Sequence, residues 1–416
     1  MKTKNKIHCM ILAVGIFYLS APVYGQTGIQ KIQKILKMPT KPTVESPTTK
    51  PDGNNGNVAS TTPQKKSNLI PGHLDLSATT PMVDKTSLVF HLRSVEAGYL
   101  NDSPNHPLPW VWYPLPYFTV YGPIDAGNII NVAYTLPNGT AWFNHDCGGP
   151  FGSKLDPGIP ADIECSRDNI PKGKPTTQTG VFGFKITLRN ELAGTTTELY
   201  SGKVKIESWS YNPTNQPKFA KQFIYYPNLD WKLPLALLYT PAPKDQYDNL
   251  GPLTALMWFR GKKYSASEVS TVGYLYYQGQ QVAATNAMGT NNVSPMFTEE
   301  QPEESENEYQ GRVFRFNAFL YDKNGSGMKT FFPVYKNPGD YEIKVLQNGK
   351  LSRSVKFSVD AGGNLVNNGI NSQNKLGTTK ILVPAQIIGE QDGKWNKTAW
   401  QTEGFFGTPL IGFTAP

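Results

Sequence analysis

The sequence predicts an all-β fold, on three observations. Apolar residues alternate with polar ones at period two through most of the chain after Lys85, turn-forming residues separate the alternating runs, and long helical periodicity is absent. Leu88, Phe90 and Leu92 alternate in this way, as do Phe182, Phe184, Ile186 and Leu188. So do Phe314, Phe316, Ala318 and Leu320, then Tyr341, Ile343 and Val345, then Val355, Phe357 and Val359. Turns are marked by Pro137-Asn138-Gly139, Asn324-Gly325, Asn337-Pro338-Gly339 and Asn348-Gly349. Short strands with regular turns indicate sandwiches, and two immunoglobulin-like β-sandwiches in tandem are expected.

The N-terminus reads as an export signal over residues 1–25. Lys2, Lys4 and Lys6 precede an apolar run from Ile7 to Leu19, and Val23 and Gly25 sit at −3 and −1 of a cleavage site. The run is shorter than the roughly 20 residues a spanning helix needs. No later segment is long and apolar enough, so no transmembrane segment is expected once the signal is removed. Cys9 is not in a lipid-attachment context, since Ile7-His8 precede it and the apolar run follows. The expected location is exported: periplasmic, cell-surface or extracellular. Residues 26–83, rich in Thr, Pro and Lys, bury too little apolar surface to offset their ordering entropy and read as a disordered tether. Within it, Ile29, Ile32, Ile35 and Leu36 give one short amphipathic piece.

Charge and cysteines narrow the function. The chain has a formal net charge of +8. The leader lysines carry three of these charges, and lysines outnumber acids seven to three between Gln26 and Asp75, which leaves the rest near +1. A nearly neutral body gives no reason to expect a nucleic-acid partner. With Cys9 lost in the signal, Cys147 and Cys165 remain, and in an oxidising compartment they are expected to form a disulfide.

The body reads as a repeat. Val132-Ala133-Tyr134 is followed by four residues and then Gly139, and Val272-Gly273-Tyr274 by four residues and then Gly279. Val181-Phe182-Gly183-Phe184 with Leu188 matches Val313-Phe314-Arg315-Phe316 with Leu320. Glycine-led strands at Gly202 and Gly339 follow, and Ser354 to Val359 is matched with Phe219 to Tyr226. These matches place sandwich 1 at 84–227 and sandwich 2 at 228–360, with a C-terminal extension at 361–416 whose Trp395, Trp400, Phe405, Phe406 and Phe413 are expected to pack on the body. The first copy carries an insertion from Asn144 to Thr179 with both cysteines, and the second an acidic run from Glu299 to Glu308. In the Asn348-Gly349 hairpin, a three-residue loop, Gln347 to Gly349, would set Val345 opposite Leu351 and Tyr341 opposite Val355, keeping apolar partners on one face.

No motif here specifies a chemistry. His145, Asp146, Asp156, Asp162, Glu164 and Asp168 gather in the insertion, but their spacing matches no ligand set, so no catalytic, cofactor or metal residue is assigned. Asp322-Lys323-Asn324-Gly325-Ser326-Gly327 opens like a calcium loop, yet its twelfth position is Pro333, and a hairpin turn accounts for it better. Asn138, Asn292, Asn324 and Asn396 head glycosylation sequons. The densest aromatic stretch is Pro109 to Phe118; its prolines argue against a central strand, and Trp110, Trp112, Tyr113 and Tyr117 form the candidate binding surface. The expected function is a non-enzymatic exported protein that binds a glycan or an envelope protein. A carbohydrate-active hydrolase using carboxylates of the inserted loops is the alternative.

Overall fold

A computed structural model describes residues 79–96, 110–166, 174–210, 223–240, 252–260, 271–287, 290, 291, 293–295, 309–316, 332–378 and 380–416. The export signal, the amphipathic piece, the acidic run, the calcium-like loop, Asp168 and the sequons at Asn292 and Asn324 lie outside them. The described residues belong to one unit, Lys66–Pro416, and are all-β. Among them no helix is long and apolar enough to cross a membrane.

The first half contains β1 (Met82–Glu96), β2 (Trp110–Tyr121), β3 (Asn128–Thr135), β4 (Ala141–Asp146), β5 (Pro160–Glu164), β6 (Gly180–Asn190), β7 (Thr195–Ser210) and β8 (Phe223–Pro227). These strands form two sheets, β1-β2-β5 and β4-β3-β6-β7-β8. The second half contains β9 (Leu235–Tyr239), β10 (Thr254–Arg260), β11 (Thr271–Tyr277), β12 (Gln280–Ala284), β13 (Asn286–Ala287), β14 (Thr290–Asn291), β15 (Val293–Pro295), β16 (Tyr309–Arg315), β17 (Gly339–Gln347) and β18 (Lys350–Val359). A short helix α1 (Ile370–Gln373) and β19 (Ile381–Ile387) follow. A nine-stranded sheet runs β12-β11-β17-β18-β19-β9-β10-β16-β15, while β13 and β14 pair with each other.

The two halves share a pairing order. β1-β2-β5 corresponds to β9-β10-β16, and β4-β3-β6-β7-β8 to β12-β11-β17-β18-β19, with every neighbouring pair antiparallel. In this order β19 is the counterpart of β8, although it comes from the C-terminal segment. The residue matches read from the sequence follow a different frame. The Val181 strand, β6, pairs with β3, but the Val313 strand, β16, pairs with β10, so the second motif marks unlike strands. The first motif marks like strands with inverted faces. Val132 and Tyr134 point into the core, whereas Val272 and Tyr274 are half-buried and Gly273 and Leu275 point inward. A Cβ on Gly273 would lie 3.1 Å from Phe314 and 3.2 Å from Phe316.

Two further expectations are corrected. The aromatic stretch is a central strand: β2 lies between β1 and β5 despite Pro114 and Pro116. Both prolines fall beyond the β5 ladder, which begins at Tyr117, although the Pro116 carbonyl still accepts from the Cys165 N–H at 3.2 Å. A proline costs a strand least where one side lacks a ladder. The β17–β18 hairpin closes with a two-residue turn, Gln347 opposite Lys350, with Asn348 and Gly349 both left-handed at φ 49° and 76°. These angles fit a type I′ turn. The slip this implies is absorbed by one extra residue, Ser352, between the Leu346–Leu351 and Val345–Arg353 pairs. Beyond that bulge Ile343 meets Val355 and Tyr341 stacks on Phe357.

Each half has its own core. The second is built from β9 to β19 around Met257, Phe259, Phe314, Ile343 and Val355. The first joins Phe90, Trp112, Phe118 and Phe182 to residues outside the first half, namely Leu237, Trp258, Leu382, Phe405, Phe406 and Phe413. β9 and β10 are therefore buried on both faces, which explains their continuous apolar character (Leu-Ala-Leu-Leu and Ala-Leu-Met-Trp-Phe). The C-terminal segment covers the face that would otherwise be open. Its tightest element is a left-handed turn at Phe405 and Phe406, with φ 41° and 57°. Both rings are buried, and Tyr200 donates a hydrogen bond to the Phe405 carbonyl.

Candidate functional site

The candidate binding aromatics sit on β2. Trp112 is wholly buried, with Trp142, Phe182 and Tyr225 around it, and its indole N–H donates to the Gln178 carbonyl at 2.9 Å. Tyr113 is also buried, while Trp110 and Tyr117 are half-buried. Alternation along β2 puts Trp112 on the inner face, so packing claims the ring before any ligand can.

The inserted loop places its polar residues in three settings. Cys147 and Cys165 form a buried disulfide that ties the end of β4 to the end of β5, on different sheets. His145 is buried beside it. One ring nitrogen, Nε2, lies 3.0 Å from the Tyr134 hydroxyl, and burial pushes the imidazole down to about 4 against the pull of Asp146. Asp146 pairs with Arg189 at 2.9 Å and accepts from Asn131 at 2.7 Å. Asp156, Asp162 and Glu164 are exposed, and Asp162 accepts from Thr119 at 2.7 Å. Among the described residues, His145, Cys147 and Cys165 are the three metal-ligating side chains that come within 4.8 Å of one another.

A second polar system joins the halves to the C-terminal segment. Asp230 is buried in a short 3-10 turn, Asp230–Lys232, just before β9. One carboxylate oxygen accepts from the Tyr309 hydroxyl at 2.7 Å and the other from the Asn396 backbone N–H at 2.7 Å. Lys232 is fully enclosed. Its ammonium stands about 5 Å over the rings of Trp231, Trp258 and Phe406 and donates to the Leu88 carbonyl at 3.3 Å. Burial outweighs these attractions and pushes the amine down to about 7. On β1, Asp84 pairs with Lys380 at 3.5 Å and Lys85 donates to the Asn374 carbonyl at 3.0 Å.

The third system is a buried ion pair at the Ser352 bulge. The bulge turns Arg353 into the second core, 4.5 Å over the Phe259 ring. There it meets the Asp392 carboxylate at 2.6 Å and donates to the Trp258 carbonyl at 2.9 Å. Asp392 also accepts from the Arg260 backbone N–H at 2.8 Å. Asp392 belongs to the Gly389–Gly393 loop, so the pair pins that loop to the sheet.

The pinned loop lines a cleft of about 520 Å³. Its walls include Pro234, Ala385 and Ile387 from the sheet side, Glu390, Lys394 and Lys397 from the loop, and the half-buried indole of Trp395. The volume is in the range of small-ligand sites, and an aromatic wall beside a few charged groups suits a polar ligand with one flat face. Sequence reasoning missed this cleft. The visible signal was a glycine-flanked, charged loop ending in a tryptophan after a strand; what depends on tertiary structure is that Arg353, remote in sequence, holds it. Neither a scan with protein-family models nor a search of curated proteins finds a match to this chain.

Proposed function

We propose that this is an exported, non-enzymatic β-sandwich protein that binds a glycan or an envelope protein, with the Trp395 cleft as its binding site. On this reading the two halves are tandem immunoglobulin-like domains, and their shared pairing order supports it. The observation that carries the functional reading is how the buried polar groups are employed. Asp84, Asp230, Arg353 and Asp392 each tie the C-terminal segment, or a strand beside it, to the body. Groups fixed in this way hold a shape, and the shape they hold includes the cleft. The test is a glycan array and an envelope-protein pull-down with the mature chain; capture of neither class counts against the proposal.

One observation favours a hydrolase, with its acid on the C-terminal segment and not on the inserted loops, whose Asp156, Asp162 and Glu164 are exposed. Glu403 is half-buried, and burial, with Asp230 and Glu207 nearby, raises its carboxyl above the usual range despite Lys205. A raised carboxyl beside other carboxylates is the pattern of a general acid. Turnover of chromogenic glycosides that disappears in Glu403→Gln would establish that reading in place of the first.

A further inference from the structure

The His145–Cys147–Cys165 cluster is more than a staple needs. A disulfide requires no imidazole, and a buried histidine adds polar atoms that must be satisfied. Nε2 faces the Tyr134 hydroxyl, but Nδ1 is buried with no hydrogen-bond partner among the described residues. An orphaned buried nitrogen carries a desolvation cost that no hydrogen bond offsets. His145 and Cys147 lie two residues apart and are both buried, as strand alternation allows. Cys165 reaches them from the opposite sheet, and the rings of Tyr134 and Phe143 pack against the imidazole, with centroids 5.5 and 5.7 Å away. Two sulfurs and one nitrogen therefore converge within 4.8 Å of one another among buried aromatic side chains.

We propose that, when the disulfide is reduced, Cys147, Cys165 and His145 form a three-coordinate site for a soft monovalent cation, Cu(I). Reduction by a dithiol or phosphine gives two thiols, with the two electrons coming from that reductant. The thiols lose protons as the metal binds and the sulfurs separate. Soft thiolates select Cu(I), for which three ligands suffice, whereas structural zinc takes four. Tyr134 is then a positioning residue, since its hydroxyl engages Nε2 and leaves Nδ1 as the nitrogen available to ligate. The disulfide and the metal site are alternative states of one cluster, so redox conditions decide which forms.

The test uses the mature full-length chain, reduced anaerobically with a phosphine, desalted, and titrated with Cu(I) against a competing chromogenic chelator. The reduced chain is expected to hold about one Cu(I), and the oxidised chain and the Cys147→Ser/Cys165→Ser variant none. His145→Gln is expected to weaken binding by at least about tenfold, given that even second-shell changes cost this much. Near-ultraviolet circular dichroism reports whether the reduced chain keeps its packing. Failure of the reduced chain to bind or to stay folded, equal binding in the oxidised chain, or unchanged affinity in His145→Gln would each overturn the proposal. Retention of Zn(II) in preference to Cu(I) would overturn the assignment of the metal.

Discussion

Arg353 and Asp392 meet inside the second core at 2.6 Å, with side chains 0% and 3% exposed. The contact links a bulge in β18 to the loop that lines the cleft. Removing one partner leaves the other charge buried without its counter-ion, which typically costs about 3–5 kcal/mol. Asp392→Ala is expected to lose that much stability in urea denaturation, and an Arg353→Met/Asp392→Leu pair to recover most of it. A loss below about 1 kcal/mol in the single variant would show that the pair does not hold the loop.

Lys232 should make stability depend on pH. Its amine titrates near 7 in the folded protein and near 10.5 when unfolded. Between those values the unfolded chain binds more protons, so stability rises with pH across that window and is lost as pH falls toward 7. Lys232→Met removes the larger part of this dependence, leaving that of Lys85, whose amine burial also lowers, and is expected to stabilise the protein at pH 7 by a few kcal/mol. Melting curves of both proteins from pH 7 to 10 check this; parallel curves would exclude it. The neighbouring His91, pushed down to about 4 by burial and by Lys232, does not titrate in that range.

The disulfide closes a loop with a sequence separation of 18. A loop of this size contributes about 3 kcal/mol by chain entropy. Cys147→Ser/Cys165→Ser should lose about that amount in guanidinium unfolding while keeping its β-sheet circular dichroism.

Gly202 sits where the first sheet meets the left-handed turn of the C-terminal segment. A Cβ there would lie 2.7 Å from the Phe184 ring and 2.8 Å from the Phe406 carbonyl. Gly202→Ala should cost about 1–3 kcal/mol through overpacking. Thermal melts of that variant should show a lower transition, and one unchanged from the parent would mean the turn is not packed there.

Strand identity was legible from alternation, since β6 and β17 bury the residues their period-two patterns assign: Phe182, Phe184 and Ile186, then Tyr341, Ile343 and Val345. Strand order was not, because alternation marks a residue run as a strand without naming its neighbours. Val313-Phe314 resembles Val181-Phe182 in sequence, yet its strand pairs with β10, as β5 pairs with β2. The Asn348-Gly349 turn was visible, but its length depended on whether β18 could absorb a slip. It does so at Ser352, next to a buried Arg353 whose partner lies 39 residues away. The cleft was hidden for the same reason. Trp395 and Lys394 are plain in the sequence, but the sheet strands and the ion pair that position them are remote.

The measurement that tests the central claim most directly is equilibrium binding of the ligand captured from the array or pull-down, compared between the parent chain and Trp395→Ala. The proposal predicts at least about a tenfold weaker Kd, as for a central aromatic worth roughly 1.4 kcal/mol or more, with the β-sheet circular dichroism retained. Equal affinity in the two folded proteins would contradict it.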